Sequence, residues 1–248
     1  MKKLLQAAFA ASLGLIALAP AHASLYTTSY GTQLGTLSSC DDCASDALRF
    51  SGSGQSINFF GKNYSSLYVS SNGYVTFGTP RTNFTPAPLD TQALSPMIAA
   101  LYSDLDTRGD DASNIYVNAA TPGELVITWE KVGVFSVNYN QRNTFQIVVR
   151  SDQFSVPAGS GQIGVYYGDI GTIAMVSAGF GDGLESVNPG EKSFAYNVPG
   201  TTLSNSPPQF FNLNNGIPAP VVVPEPASIA LLGLGLAGCI AARRRKDA

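Results

Sequence analysis

The chain has 248 residues, only 12% of them charged, with 17 acidic against 14 basic side chains and a formal net charge of −3. The basic residues concentrate at the two ends, so the span 24–223 holds 8 of them against 15 acidic ones; that net charge of −7 disfavours non-specific nucleic-acid binding and repels acidic polysaccharide unless a divalent cation bridges the two. The single histidine, His22, lies in the leader, so the body has no imidazole base, no Ser-His-Asp or Cys-His nucleophile and no histidine metal ligand. Carboxylate-only chemistry, such as glycoside hydrolysis, remains open.

Met1-Lys2-Lys3 is a positive n-region and Leu4 to Ala19 is apolar. Ala21-His22-Ala23 then supplies the A-x-A pattern of a secretory signal peptide, which predicts removal of residues 1–23 and a mature N-terminus at Ser24. Next comes Cys40-Asp41-Asp42-Cys43. A local disulfide, a redox motif and half of a metal site compete for this C-x-x-C. Redox activity needs a thiol pKa lowered by cations or a helix N-terminus, whereas two intervening aspartates raise it. A zinc knuckle needs a second ligand pair, and the body has none. The disulfide Cys40–Cys43 is favoured.

From Ser56 onward the chain reads as short strands. Ser56 to Phe60 is bounded by Gly61, and Leu67 to Ser70 and Tyr74 to Phe77 flank Ser71-Asn72-Gly73; Asn-Gly between alternating apolar runs is a strong hairpin signal. Thr79 to Leu89, with three prolines, reads as an ordered surface loop, and Pro96 is placed to begin a short helical turn. Further strands are expected at Asn114 to Asn118, Leu125 to Glu130, Thr144 to Arg150, Ile163 to Tyr167 and Ile173 to Phe180, all rich in Val, Ile, Thr and aromatics. No segment outside the ends holds a 3.6-residue apolar period. The expected class is therefore all-β, an antiparallel β-sandwich over 24–190 with Trp129 as its large core anchor. Residues 191–223 turn polar and proline-rich and read as an extended linker, with Phe210-Phe211 as one last edge strand.

Asp104, Asp106, Asp110 and Asp111 form the densest carboxylate group. Arg108 at the fifth loop position and Ile115 at the twelfth rule out an EF-hand. A looser Ca²⁺ site made of these oxygens, a polar inter-strand loop and a catalytic carboxylate pair remain as alternatives. If this stretch is extended, Asp104 and Asp106 share a face about 7 Å apart. Arg108-Gly109-Asp110 and the two N-x-[ST] sequons at Asn63 and Asn83 are taken as incidental. Asp182, between two glycines, is a turn aspartate. Tyr102, Tyr116, Tyr139, Tyr166 and Tyr167 offer either a sugar-stacking surface or a set of half-buried strand residues.

The chain closes with Pro224-Glu225-Pro226, an apolar run from Ala227 to Ala242, and Arg243-Arg244-Arg245-Lys246. As a helix the run would reach roughly 24 Å at ~1.5 Å per residue, short of the ~30 Å bilayer core. It can enter a membrane, with the basic residues held on the cytoplasmic side. This order over 224–248 resembles the PEP-CTERM sorting signal of Gram-negative, biofilm-forming bacteria. The resemblance implies an exosortase-type membrane peptidase cutting near Pro224-Glu225-Pro226, and transient anchoring before release or transfer to the cell surface.

The body resembles a family as well. Phe59-Phe60-Gly61, Leu67 to Gly78, the apolar run Ile98 to Leu101 leading into Asp104-x-Asp106, Leu125 to Val132, Asn143 to Val149 and Ala178 to Gly183 are similar, in that order, to a nidogen-like (NIDO) domain. That resemblance implies an extracellular adhesion or matrix module without enzymatic activity; no cofactor is expected apart from the Ca²⁺ that the aspartates could hold. Adhesion or exopolysaccharide organisation is the expected role. A carboxylate-dependent glycoside hydrolase or lyase, and a Ca²⁺-stabilised carbohydrate-binding module, are the competing ones.

Overall fold

Side chains alternate between two faces along every strand, and this period-two pattern builds the body. The computed structural model describes residues 25–109, 114–135 and 138–221. Along the chain the strands are β1 (Thr32–Gln33), β2 (Leu48–Arg49), β3 (Ile57–Phe59), β4 (Lys62–Tyr64), β5 (Ser66–Ser70), β6 (Tyr74–Phe77), β7 (Pro96–Tyr102) and β8 (Leu105–Asp106). They continue as β9 (Asn114–Asn118), β10 (Glu124–Val134), β11 (Asn138–Arg150), β12 (Ile163–Ile170), β13 (Val176–Asp182), β14 (Lys192–Val198), β15 (Gln209–Asn214) and β16 (Ile217–Pro220). One four-residue helix, α1 (Leu89–Gln92), precedes β7. No helix among the described residues is long and apolar enough to cross a membrane.

The strands form two main antiparallel sheets. One runs β1-β9-β10-β11-β12-β15-β16 with β8 paired to β10, and the other runs β14-β13-β7-β6-β5-β2. The protein is a β-sandwich, as its strand patterning predicts. Leu125, Ile127 and Trp129 of β10 and Phe145, Ile147 and Val149 of β11 point inward from the first sheet. Val69, Val75, Ile98, Ala178 and Phe180 meet them from the second. Trp129 is fully buried and lies directly opposite Phe145, their rings stacked with centroids 4.9 Å apart. Such a cross-strand aromatic pair is worth about 0.5–1.5 kcal/mol beyond its buried area.

Both outer faces are partly covered. Leu89 and Ala93 pack on Tyr74, Met97, Ala99 and Tyr102 behind the second sheet. Behind the first, Gln146 holds the backbone of Thr27 from both sides, and Tyr26 lies 5.4 Å from the Tyr166 ring. The first residues after the expected signal-cleavage point thus lie along the sheet. Beneath them Arg150 is fully buried, its Nε 2.7 Å from Glu124 Oε2.

Three expectations change, and a fourth is sharpened. The expected linker over 191–223 is mostly sheet: β14 pairs with β13, β15 with β12, and β16 with β15. Prolines are tolerated there because β16 is an edge strand whose outward side needs no donors. Phe210-Phe211 does lie in a strand, but β16 covers its outer side. Pro96 begins a strand, opposite Asp182, and the short helix sits earlier at α1. Ser56 to Phe60 is half of a hairpin: Phe60 and Gly61 both take positive φ, so the chain reverses into β4.

Candidate functional site

The three-residue turn between β5 and β6 organises the acidic corner. Gly73 takes φ +83°, and a Cβ there would lie 2.0 Å from the Leu101 carbonyl oxygen, so both conformation and close approach demand glycine. That approach fixes Asn72, which is fully buried. Its Oδ1 accepts from Leu105 N at 2.9 Å and its Nδ2 donates to Asp42 Oδ1 at 2.8 Å, so one carboxamide ties the Cys40–Cys43 loop to the segment entering β8.

A disulfide joins Cys40 and Cys43. Ser71 N donates to Cys43 O, and Thr107 N donates to Cys40 O, both at 2.9 Å. Pinned on both flanks, the loop brings Asp41 and Asp42 against Asp104; one carboxylate oxygen from each lies within 4.8 Å of the others. Oδ1 of Asp41 is buried without a hydrogen-bond partner among the described residues.

Electrostatics follow from this crowding. Burial, then the like charges of Asp42, Asp41 and Asp106, push Asp104 up to about 6, with Arg108 only partly opposing them. Asp41 is raised by burial and by Asp106, again against Arg108. Chemically the trio is a set of hard oxygen donors of the kind that holds Ca²⁺.

The aspartates predicted from sequence divide differently. Asp106 is fully buried and engaged by Arg108, whose Nε and Nη2 reach its two oxygens at 2.9 and 2.8 Å while Nη2 also meets Asp41 Oδ2 at 2.8 Å. Asp106 is therefore ion-paired in place with Arg108, and the carboxylates gathered around Asp104 are those of Asp41 and Asp42. The same pairing absorbs Arg108 of the Arg-Gly-Asp tripeptide. Asp110 and Asp111 lie outside the described residues, as do Ala21, Ala23, Ser24, Pro224, Glu225, Pro226, Arg243, Arg244 and Arg245. Asp41 and Asp42 were missed as site residues, because their meeting with Asp104 depends on contacts more than sixty residues apart.

Among the described side chains the tyrosines do not form a stacking surface, and the side chain of Tyr139 lies outside the description. Tyr102, Tyr166 and Tyr167 are buried, and the Tyr167 hydroxyl donates to Ala100 O at 2.8 Å across the sandwich. Tyr116 is half-buried against Tyr30, with ring centroids 5.7 Å apart. Asp182, expected in a turn, is the last residue of β13, and its Oδ1 accepts from Leu184 N of the following turn at 2.7 Å.

A two-sheet antiparallel sandwich with a short disulfide loop and, among the described residues, no imidazole defines the class of β-sandwich modules. More specifically, the NIDO-related family matches residues 18–209, most of the chain, and the chain belongs to that family. The PEP-CTERM protein-sorting motif matches residues 222–246. Nidogen of Drosophila melanogaster is 28% identical over 126 residues, which cover 41% of this chain and 9% of that protein. The chain thus spans about a tenth of that relative's length. No solved structure matches the chain.

Proposed function

We propose that this protein is a non-enzymatic module of the cell surface or extracellular matrix, acting in adhesion or in organising exopolysaccharide. The observation that carries the reading is the union, in one chain, of a NIDO-related sandwich and a PEP-CTERM sorting motif. Export proceeds by removal of residues 1–23. The Ala227–Ala242 segment then holds the chain transiently in the membrane, and an exosortase-type peptidase processes it near Pro224-Glu225-Pro226. In this account the acidic corner is structural: Arg108 pairs with Asp106 and Asp41, and Asn72 holds Asp42, so these carboxylates anchor the disulfide loop instead of doing acid–base work on a sugar.

Fractionation of producing cells tests the reading. The intact gene should place the protein in the surface or matrix fraction, and deletion of residues 224–248 should remove it from there with a loss of matrix cohesion. Unchanged matrix and unchanged location in the deletion strain would count against it. A second reading, a sandwich stabilised by a divalent cation at Asp41, Asp42 and Asp104, is favoured by the buried, unpartnered Asp41 Oδ1. Millimolar Ca²⁺ should then raise the melting temperature, and a chelator should lower it.

A further inference from the structure

At the end of the sandwich remote from the acidic corner, two hairpin turns dock on each other. The β3–β4 turn donates Phe60 N to Gly216 O at 2.8 Å, and Gly216 belongs to the β15–β16 turn. Asn215 and Gly216 both take positive φ, the conformation of a two-residue hairpin turn. A Cβ on Gly216 would lie 2.1 Å from Asn58 Oδ1, so glycine is required for the contact. Between these turns and the β11–β12 loop lies a cleft of about 540 Å³ that is wide open to solvent, a shape suited to a chain ligand lying along the surface more than to an enclosed small molecule.

Its walls are held in place by a connected set of polar groups. Asp152 Oδ2 accepts from Asn58 N at 2.8 Å, and its Oδ1 accepts from Gln162 Nε2 at 3.0 Å. Gln162 Oε1 in turn accepts from Leu213 N at 2.9 Å. The β3–β4 hairpin, the β11–β12 loop and β15 are thereby locked together, and the cleft needs no rearrangement to exist. Asn58, Asn212 and Asn215 also line it, and their carboxamides make no hydrogen bond to protein among the described residues. Phe154 adds an aromatic ring, which lies 5.4 Å from the Arg150 guanidinium on the protein side.

We propose that this cleft binds a neutral saccharide, with Asn212, Asn215 and Asp152 engaging its hydroxyls and Phe154 meeting an apolar sugar face. The proposal rests on the matrix role proposed above and names its ligand class. A carboxamide offers a donor and an acceptor side by side, matching a sugar hydroxyl, which is both. No basic side chain lines the cleft, and Asp152 is its one charge, so phosphates, nucleotides and uronates are disfavoured. An extended peptide is the poorer fit. Such ligands add to free strand edges; on β3 the outward Asn58 N is already taken by Asp152, and the other edge at the cleft is β16. There Val221 N points inward to Phe210 O; by strand alternation Pro218 and Pro220 occupy the outward positions and provide no N–H.

The test is affinity electrophoresis of the exported protein, purified from its producing cells, in gels containing a neutral β-glucan, a mannan, a galactan or the acidic polymer alginate, with an extended-peptide library as a separate arm. Wild type should be retarded by at least one neutral polymer and not by alginate. The double substitution Asn212→Ala, Asn215→Gly should weaken that retention roughly tenfold or more, and Phe154→Ala should weaken it independently; Gly keeps the turn conformation at 215. Unchanged melting temperatures would establish that these variants fold. Retention by neutral glycan that survives both variants would overturn the cleft while leaving the matrix role standing. Retention by alginate alone, or peptide binding that the double variant abolishes, would overturn the saccharide assignment. A wild type that no polymer and no native matrix polysaccharide retains would overturn the cleft and the polysaccharide role together.

Discussion

The indole Nε1 of Trp129 donates to the carbonyl oxygen of Ser70 at 3.0 Å, crossing from one sheet of the sandwich to the other. Ser70 ends β5, immediately before the turn that carries Asn72 and Gly73. The largest core side chain is thereby tied to the turn that positions the acidic corner. Tyr167 makes the equivalent link from β12 to Ala100 of β7. Two buried polar contacts thus fix how the sheets lie on each other, where apolar packing alone would tolerate sliding.

Replacing Trp129 with Phe should therefore cost more than its lost area. It removes the inter-sheet hydrogen bond to Ser70 O and opens a cavity, for a total of about 2–4 kcal/mol. Tyr167→Phe removes only a hydroxyl and should cost about 1–2 kcal/mol. Urea unfolding of each variant checks the ranking. Equal losses would mean that the inter-sheet bond at Trp129 adds nothing to packing.

Stability should also depend on pH through Asp104. Its carboxyl is raised from 3.8 to about 6 in the fold. Between those values the folded protein keeps a proton that the unfolded chain has released, so this group's contribution falls as pH rises through the window and stays low above about 6. Asp104→Asn removes the charge. It should raise the melting temperature at pH 7, leave it nearly unchanged at pH 4, and flatten the slope between. Parallel wild-type and variant curves would contradict this account.

The Cys40–Cys43 loop is short, so reduction should remove less than the roughly 2–4 kcal/mol of a typical disulfide. The effect should be local. Asp41 and Asp42 lose their fixed position, and hydrogen exchange should quicken around residues 38–46 and 71–73 while β10 and β11 keep their protection. Global unfolding on reduction would show that the loop is essential to the whole sandwich.

Breaking the buried Arg150–Glu124 pair should be severe. Glu124→Gln leaves a guanidinium without its counter-charge beneath Tyr26, at a cost of about 3–5 kcal/mol. Replacing both partners by apolar residues should recover much of the loss. A single variant as stable as wild type would show that solvent reaches Arg150.

Sandwich class, core anchor and strand positions were legible because period-two apolar runs encode burial locally. The hairpin at residues 71–73 was legible for the same reason. Asn215-Gly216 carries an equally strong local signal, which the reading of 191–223 as a proline-rich linker passes over. Only the pairing of β15 with β12 shows that those prolines sit on an edge. The acidic corner was half legible. Asp104 stood out by carboxylate density, whereas its partners arrive from a loop more than sixty residues earlier, and Asp106 is removed by Arg108 through rotamers that spacing does not encode.

The most direct measurement is the intact mass of the protein recovered from the cell surface or matrix. The account predicts a chain beginning at Ser24 and ending near Pro224-Glu225-Pro226, with or without an attached group at its new C-terminus. Recovery of a surface protein that still carries Arg243 to Ala248 would contradict it.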